Sequence, residues 1–217
     1  PLIVAGSYNL YKNPAWRELL AGLPGEKLIV LALGVPYDGA FLPQASTCLA
    51  SYGSQPVSVA ALAEVLTGRR SAGGRLPVDF AGSVVFHAGP VLRKNGEGWD
   101  MVVVGPTTSF RMEPYAEMVG QLGVKAIIGK GGMREGSVQA YQKYKQVYLQ
   151  AAPGCAVKLA SAVKSVDGGY WLEKGMPEAL WILNVEKFGP FAVTMDSHGR
   201  SVYQDIKDEA LKIMQTF

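Results

Sequence analysis

Residues 105–115 read GPTTSFRMEPY and follow the apolar run MVVV. Thr107 and Thr108 place two hydroxyls, and Arg111 a guanidinium, at what reads as the end of a buried strand. A strand that turns into a helix leaves backbone N–H groups without acceptors, and such turns favour anions. Arg111 adds a permanent planar cation that matches a carboxylate. Thr107 precedes it by four residues, so both project from one side if the turn is helical. The plainer reading is that the threonines cap the turn and Arg111 covers surface. Spacing alone leaves both open.

KAIIGKGGM, residues 125–133, repeats the arrangement: a buried strand, then Gly129, Lys130, Gly131 and Gly132. Glycines let a ligand approach the backbone, and Lys130 supplies a point charge. The GxxxxGK[ST] phosphate loop is absent. In open α/β sheets ligands collect beyond the carboxyl ends of strands. If both loops lie at such ends, Arg111 and Lys130 would hold a small dianion, such as a dicarboxylate, at two points. Thr107 would then face the carbon between the carboxylates. A threonine hydroxyl has no useful basicity without an activating neighbour. MDSHG, residues 195–199, sets Asp196 and His198 two apart at a strand end, a pair suited to acid–base work or a metal, or to a plain Asp turn. His87 reads as a packed or edge residue, and Cys48 and Cys155 as buried small hydrophobes.

These residues need strands and helices in alternation to hold them. Residues 1–75 read strand–helix–strand–turn–helix: PLIVAGSYN, a helix from Pro14 capped by Asn13, EKLIVLALGVPYD, STCLASYGS, and a helix capped by Ser58 and stopped by Gly68. That is half of a Rossmann- or flavodoxin-like parallel sheet, and half a sheet leaves edges that must pair elsewhere. RRSAGGRLPVDFAG is a linker by composition. Residues 76–217 then read as a strand over GSVVFHAGPVLR, the KNGEG hairpin turn and the strand WDMVVVGP. A helix at PYAEMVGQLG, the strand VKAIIGK, a helix at REGSVQAYQKYK, the strand KQVYLQA and a helix at CAVKLASAV follow. Strands around KSVDGGYW, ILNVEKFG and FAVTMDSHG come next. The chain closes on a helix with Val202, Ile206, Ala210, Ile213, Met214 and Phe217 on one stripe.

Bulk properties narrow the classes. The 217 residues are 48% hydrophobic and 18% charged, which excludes a disordered chain. A net charge of +3 with no long basic block gives no support for nucleic-acid binding. Two cysteines cannot hold an iron–sulfur cluster or a four-ligand zinc site, so no metal is assigned to this chain. No signal peptide or long apolar run is visible, and the expectation is a cytoplasmic protein without a membrane span. Pro1 in place of Met points to a processed or excised chain.

GPTTSFRM, AIIGKGGM and MDSHG together, with LPVDFAGSVVFHAGPV ahead of them, resemble the β subunit, or C-terminal domain, of class I (iron–sulfur) fumarases and L-tartrate dehydratases. The likeness runs over residues 76–205. It implies a swivelling β/β/α domain and a hydro-lyase that adds or removes water across a hydroxy-dicarboxylate. It implies a 4Fe–4S cluster carried by a partner α subunit, not by this chain, and no activity alone. On this likeness Thr107 serves in proton transfer, Arg111 binds a substrate carboxylate, and Thr108, Lys130 and Gly131 complete the substrate site, with Asp196 and His198 as further candidates. The family's upstream SGxxxTARDxAH loop, whose arginine also grips substrate, is missing. Residues 1–76 instead resemble the last part of the C-terminal α/β domain of family 3 glycoside hydrolases, without their catalytic barrel. The chain therefore reads as a chimera of two α/β fragments. The alternatives are a non-catalytic anion-binding module and a chimeric fold with a vestigial site. Homo-oligomerisation is left open.

Overall fold

Alternating apolar runs and turn formers pair as parallel strands at the start of the chain. β1 (Ile3–Ser7), α1 (Pro14–Ala21), β2 (Leu28–Ala32), β3 (Thr47–Ala50) and α2 (Pro56–Leu66) follow one another. The strands form a parallel sheet in the order β1-β2-β3, with Ile3 opposite Leu28 and Val30 opposite Cys48. Asn13 caps α1 as expected, its side-chain oxygen accepting the Trp16 N–H at 3.1 Å. Leu10, Leu20, Leu28, Val30 and Leu42 form the core of this unit. α2 starts before the expected cap. Gln55 sits at the N-cap, Pro56 takes the first position, and Ser58 lies inside the first turn. Proline's fixed φ suits that first position, which moves the start three residues upstream. The sheet holds these three strands and no fourth among the described residues.

The computed structural model describes residues 1–34, 36–74 and 76–216, and only the backbone of Tyr37. It divides into two compact units, Pro1–Leu76 and Pro77–Phe217. Phe217, the last member of the expected apolar stripe, lies outside the described residues.

The second unit runs β4 (Val84–Phe86), β5 (Ala88–Asn95), β6 (Gly98–Pro106), a 3-10 helix over Ser109–Tyr115, α3 (Ala116–Gln121), β7 (Ala126–Gly129), α4 (Glu135–Tyr144) and β8 (Val147–Gln150). Then come α5 (Ala156–Ala160), β9 (Val163–Tyr170), β10 (Leu180–Val185), β11 (Ala192–Met195) and α6 (Val202–Met214). The main sheet has the order β11-β8-β7-β4, parallel except for β11. β5 with β6, and β9 with β10, form antiparallel hairpins. The fold is thus α/β, with parallel and mixed sheets. All four residues of β7 are buried, as a strand covered on both faces requires. Val124, Ile127, Met133, Tyr141, Tyr148 and Met195 pack around it.

Several elements differ from the sequence reading. The single strand expected over residues 82–93 divides at His87, because β4 pairs with β7 while β5 turns to pair with β6. The helix expected from Pro114 is preceded by the 3-10 turn, in which Pro114 supplies no N–H. α5 stops at Ala160, and Val163 opens β9 instead. The stripe on α6 is not packed inward: Val202, Ile206, Ile213 and Met214 are all exposed. Cys48 is exposed and Cys155 half-buried, both free, so neither is a buried hydrophobe.

Candidate functional site

Strand ends build the site. β4, β7 and β8 run parallel, so their carboxyl ends share one edge of the sheet. β4 stops at Phe86, and His87 then bridges two segments: its N–H donates to the Ile128 carbonyl at 2.8 Å and its carbonyl accepts from Thr107 N–H at 2.7 Å. Beyond that point residues 107–109 take β4's place beside the extension of β7. Lys130 N–H donates to Thr107 O at 3.3 Å, and Ser109 N–H to Lys130 O at 3.1 Å. Thr108 and Lys130 form a parallel bridge. The end of β6 and the end of β7 are therefore joined through the backbone, and Thr107, Thr108, Lys130 and Gly131 come to one place.

Thr107, Thr108 and Lys130 are half-buried, and Gly131 is exposed with φ +72°. Glycine alone adopts that left-handed backbone without strain. Arg111 is exposed on the 3-10 turn that leaves Thr108. Among the described residues neither Arg111 nor Lys130 makes an ion pair, whereas Arg70, Arg93, Lys143 and Lys164 do. The backbone N–H groups of Gly131 and Gly132 donate to no protein acceptor among the described residues. Lys130 thus lies next to the free N–H groups of Gly131 and Gly132, and a cation beside unpaired N–H groups favours an anion.

Side chains to which the sequence reading gave no part in the site hold these loops. His87 is buried, with Nδ1 2.9 Å from Ser109 Oγ. The Tyr148 hydroxyl lies 2.9 Å from Ser109 Oγ and donates to Gly131 O at 2.7 Å. Tyr203 also donates to Gly131 O, at 3.0 Å, and touches Gln150. Burial pushes the Tyr148 hydroxyl up to about 12 and drops the His87 imidazole to about 4, so both are neutral at pH 7. Glu113 ties the 3-10 turn to the next helix. Its carboxylate accepts from Arg134 N–H at 2.7 Å, Ser137 N–H at 2.9 Å and Ser137 Oγ at 2.6 Å, at the N-terminus of α4. Arg134 stacks 4.3 Å from the Phe110 ring. The available signal was positional: Ser109 and Glu113 lie in the same short motif as Thr107 and Arg111.

Asp196 and His198 lie at the end of β11 in a separate turn. Asp196 Oδ1 accepts the N–H groups of His198 and Arg200, each at 2.9 Å. The Arg200 N–H, and then that of His198, hold the carboxyl below its ordinary range. The Asp196 carboxylate thus closes the turn by binding backbone, and its side chain is not hydrogen-bonded to the His198 ring among the described residues.

Two cavities lie in the second unit, and among the described residues neither is lined by Thr107, Arg111 or Lys130. One of about 640 Å³ is largely apolar, with Phe80, Phe86, Ile128 and Trp181 in its wall beside Asp79 and Asp167. Among the described residues its charged lining is acidic, which disfavours a dianion. The other, about 560 Å³, lies between Met133 and the start of α6. The candidate site therefore lies outside both cavities, with Thr107, Thr108 and Lys130 half-buried and Arg111 and Gly131 exposed. Among the described residues no three His, Cys, Asp or Glu side chains gather into a metal-binding group.

The "Fumarase C-terminus" family model matches residues 47–206, a span that covers both loops and β11. The L(+)-tartrate dehydratase subunit beta of Escherichia coli K12 is 45% identical over 133 residues, 61% of this chain and 66% of that protein. A protein of Methanocaldococcus jannaschii, provisionally named as the same subunit, is 46% identical over 134 residues, 61% of this chain and 69% of its own length. One of Geobacillus stearothermophilus, provisionally named a class I fumarate hydratase, is 42% identical over 143 residues, 65% of this chain and 28% of that protein. The chain spans about two thirds of the length of the tartrate dehydratase subunits it matches. With the motif-bearing loops inside the matched region, the chain belongs to the Fumarase C-terminus family.

Proposed function

We propose that this chain is the β-subunit-like component of a hydro-lyase that adds or removes water across a hydroxy-dicarboxylate, malate/fumarate or tartrate. The observation that carries this reading is the backbone junction of Thr107–Ser109 with Lys130. It sets a hydroxyl-rich loop beside a lysine–glycine loop, and Arg111 follows two residues further along the first. The names of the tartrate dehydratase and fumarate hydratase relatives supply the reaction class. The finer fold description, a swivelling β/β/α domain behind half of a flavodoxin-like sheet, belongs to the same reading.

The residues divide the work by chemistry. Arg111 matches one carboxylate with a planar fork. Lys130 meets the other as a point charge, aided by the N–H groups of Gly131 and Gly132. Thr108 orients the substrate through its hydroxyl. Thr107 handles the proton at the carbon next to the departing or arriving hydroxyl. Its hydroxyl is too weakly acidic and basic to act unaided, so it works against a group supplied with the substrate or the partner. The partner is an α subunit carrying a 4Fe–4S cluster, which supplies a Lewis acid for the substrate hydroxyl. Arg111 and Gly131 are exposed, so a second subunit can reach them. Asp196 is a weaker candidate, since its carboxylate is occupied by the turn, and His198 is exposed beside it.

Reconstitution tests the reading. With an iron–sulfur α subunit of a tartrate dehydratase, the chain is expected to restore dehydration of L-tartrate or interconversion of malate and fumarate, followed by fumarate or oxaloacetate absorbance. Thr107→Val is expected to lower kcat by on the order of 10²-fold or more, the usual worth of a proton-transfer group. No turnover by the reconstituted pair, together with no dicarboxylate binding, would refute the reading. Binding without turnover would favour an anion-binding module.

A further inference from the structure

The loop that carries Lys130 is held by a buried chain of hydrogen bonds whose protons can be counted. Tyr148 Oη is 2.7 Å from Gly131 O and 2.9 Å from Ser109 Oγ, and Ser109 Oγ is 2.9 Å from His87 Nδ1. A carbonyl oxygen only accepts, so the Tyr148 proton belongs to Gly131 O. The Tyr148 oxygen is then free to accept, and the Ser109 proton serves that contact. Ser109 Oγ in turn accepts, so the third contact needs a hydrogen on His87 Nδ1. Every other assignment leaves two lone pairs facing each other at 2.9 Å or less with no hydrogen between them. The run is one-directional: His87 Nδ1–H to Ser109 Oγ–H to Tyr148 Oη–H to Gly131 O.

We propose that His87, Ser109 and Tyr148 form a positioning relay that fixes the Gly131 carbonyl, and through it sets Lys130 and the N–H of Gly132 against Thr107 and Thr108. This rests on the reading of the two loops as a dicarboxylate site. Three further observations support it. A trans peptide points its N–H away from its carbonyl, so holding Gly131 O against Tyr148 and Tyr203 turns the Gly132 N–H to the opposite side. Gly129 leaves room for the relay, because a Cβ there would collide with Ser109 Oγ and come within 3.0 Å of the Tyr148 hydroxyl. His87 also anchors both strand ends through its own backbone, so the relay begins at the residue that joins β7 to Thr107. The three side chains touch no reacting atom and act through the loop. Their burial makes the bonds costly to leave half made.

The test uses the whole chain, labelled with nitrogen-15. Long-range proton–nitrogen spectra are expected to show His87 with hydrogen on Nδ1 and a bare Nε2. Tyr148→Phe is expected to move the amide resonances of Gly131 and Gly132. It should also weaken L-tartrate binding, read by calorimetry, by about tenfold, the worth of one buried hydrogen bond. Ser109→Ala, which also cuts the relay, is expected to switch His87 away from the Nδ1–H form, while Ser109→Thr retains it. Hydrogen on Nε2 of the unaltered chain, or unmoved Gly131 and Gly132 resonances in Tyr148→Phe, would overturn the relay. The spectra read the relay whether or not tartrate binds. Absence of binding by the unaltered chain counts against the dicarboxylate reading alone.

Discussion

Gly129 and Ser109 face each other so closely that no side chain fits between them: a Cβ on Gly129 would overlap Ser109 Oγ. Ser109 is fully buried and cannot retreat. Gly129→Ala is therefore expected to destabilise the second unit by about 1–3 kcal/mol, as overpacking in a tight core does. Denaturant unfolding measures it. Gly131→Ala, at φ +72° with open space around it, should cost only the backbone term, about 1 kcal/mol.

Glu113 caps α4 from outside the helix, so its loss should be felt at a distance in sequence. Glu113→Ala leaves Arg134 N–H, Ser137 N–H and Ser137 Oγ without their acceptor. A cost of about 2 kcal/mol is expected, from a lost cap with charge-assisted bonds. Amide exchange should rise at the start of α4 before it rises in β7.

His87 gives the fold an acid sensitivity of defined sign. Burial lowers its folded pKa from 6.5 to about 4. Between those values the unfolded chain binds a proton that the folded chain does not, so stability falls as pH drops from 6.5 to about 4 and is fully present above 6.5. The linkage is on the order of 3 kcal/mol. The difference in unfolding free energy between the unaltered chain and His87→Asn, followed against pH, isolates it. A flat difference across that window would show that His87 is already charged or solvated in the fold.

Much of this was legible in the chain. The alternating runs located every strand of the first unit, and Asn13 before Pro14 marked the start of α1, because both signals are local. GPTTSFRM and IGKGGM were legible as strand ends carrying cations. Their junction was not, since a bridge between Thr108 and Lys130 depends on where β4 stops, and His87 reads as one more strand residue. The relay was hidden for a similar reason. His87, Ser109 and Tyr148 sit 22 and 39 residues apart and have no spacing pattern to betray them. Ser58 failed as a cap because Pro56 outcompeted it for the helix start. The α6 stripe was legible as amphipathic, but a stripe does not say whether this chain covers it.

The most direct measurement is a calorimetric titration of the chain with L-tartrate and with malate, alongside Arg111→Ala, Lys130→Ala and the remote control Arg93→Ala. Two-point capture of a dianion predicts saturable heat for one of the two ligands. It also predicts a loss of roughly ten- to a hundredfold in affinity for either loop variant, the worth of a charge-assisted contact, and no change for the control. Equal affinity in all four proteins, or no heat in the unaltered chain, would contradict it.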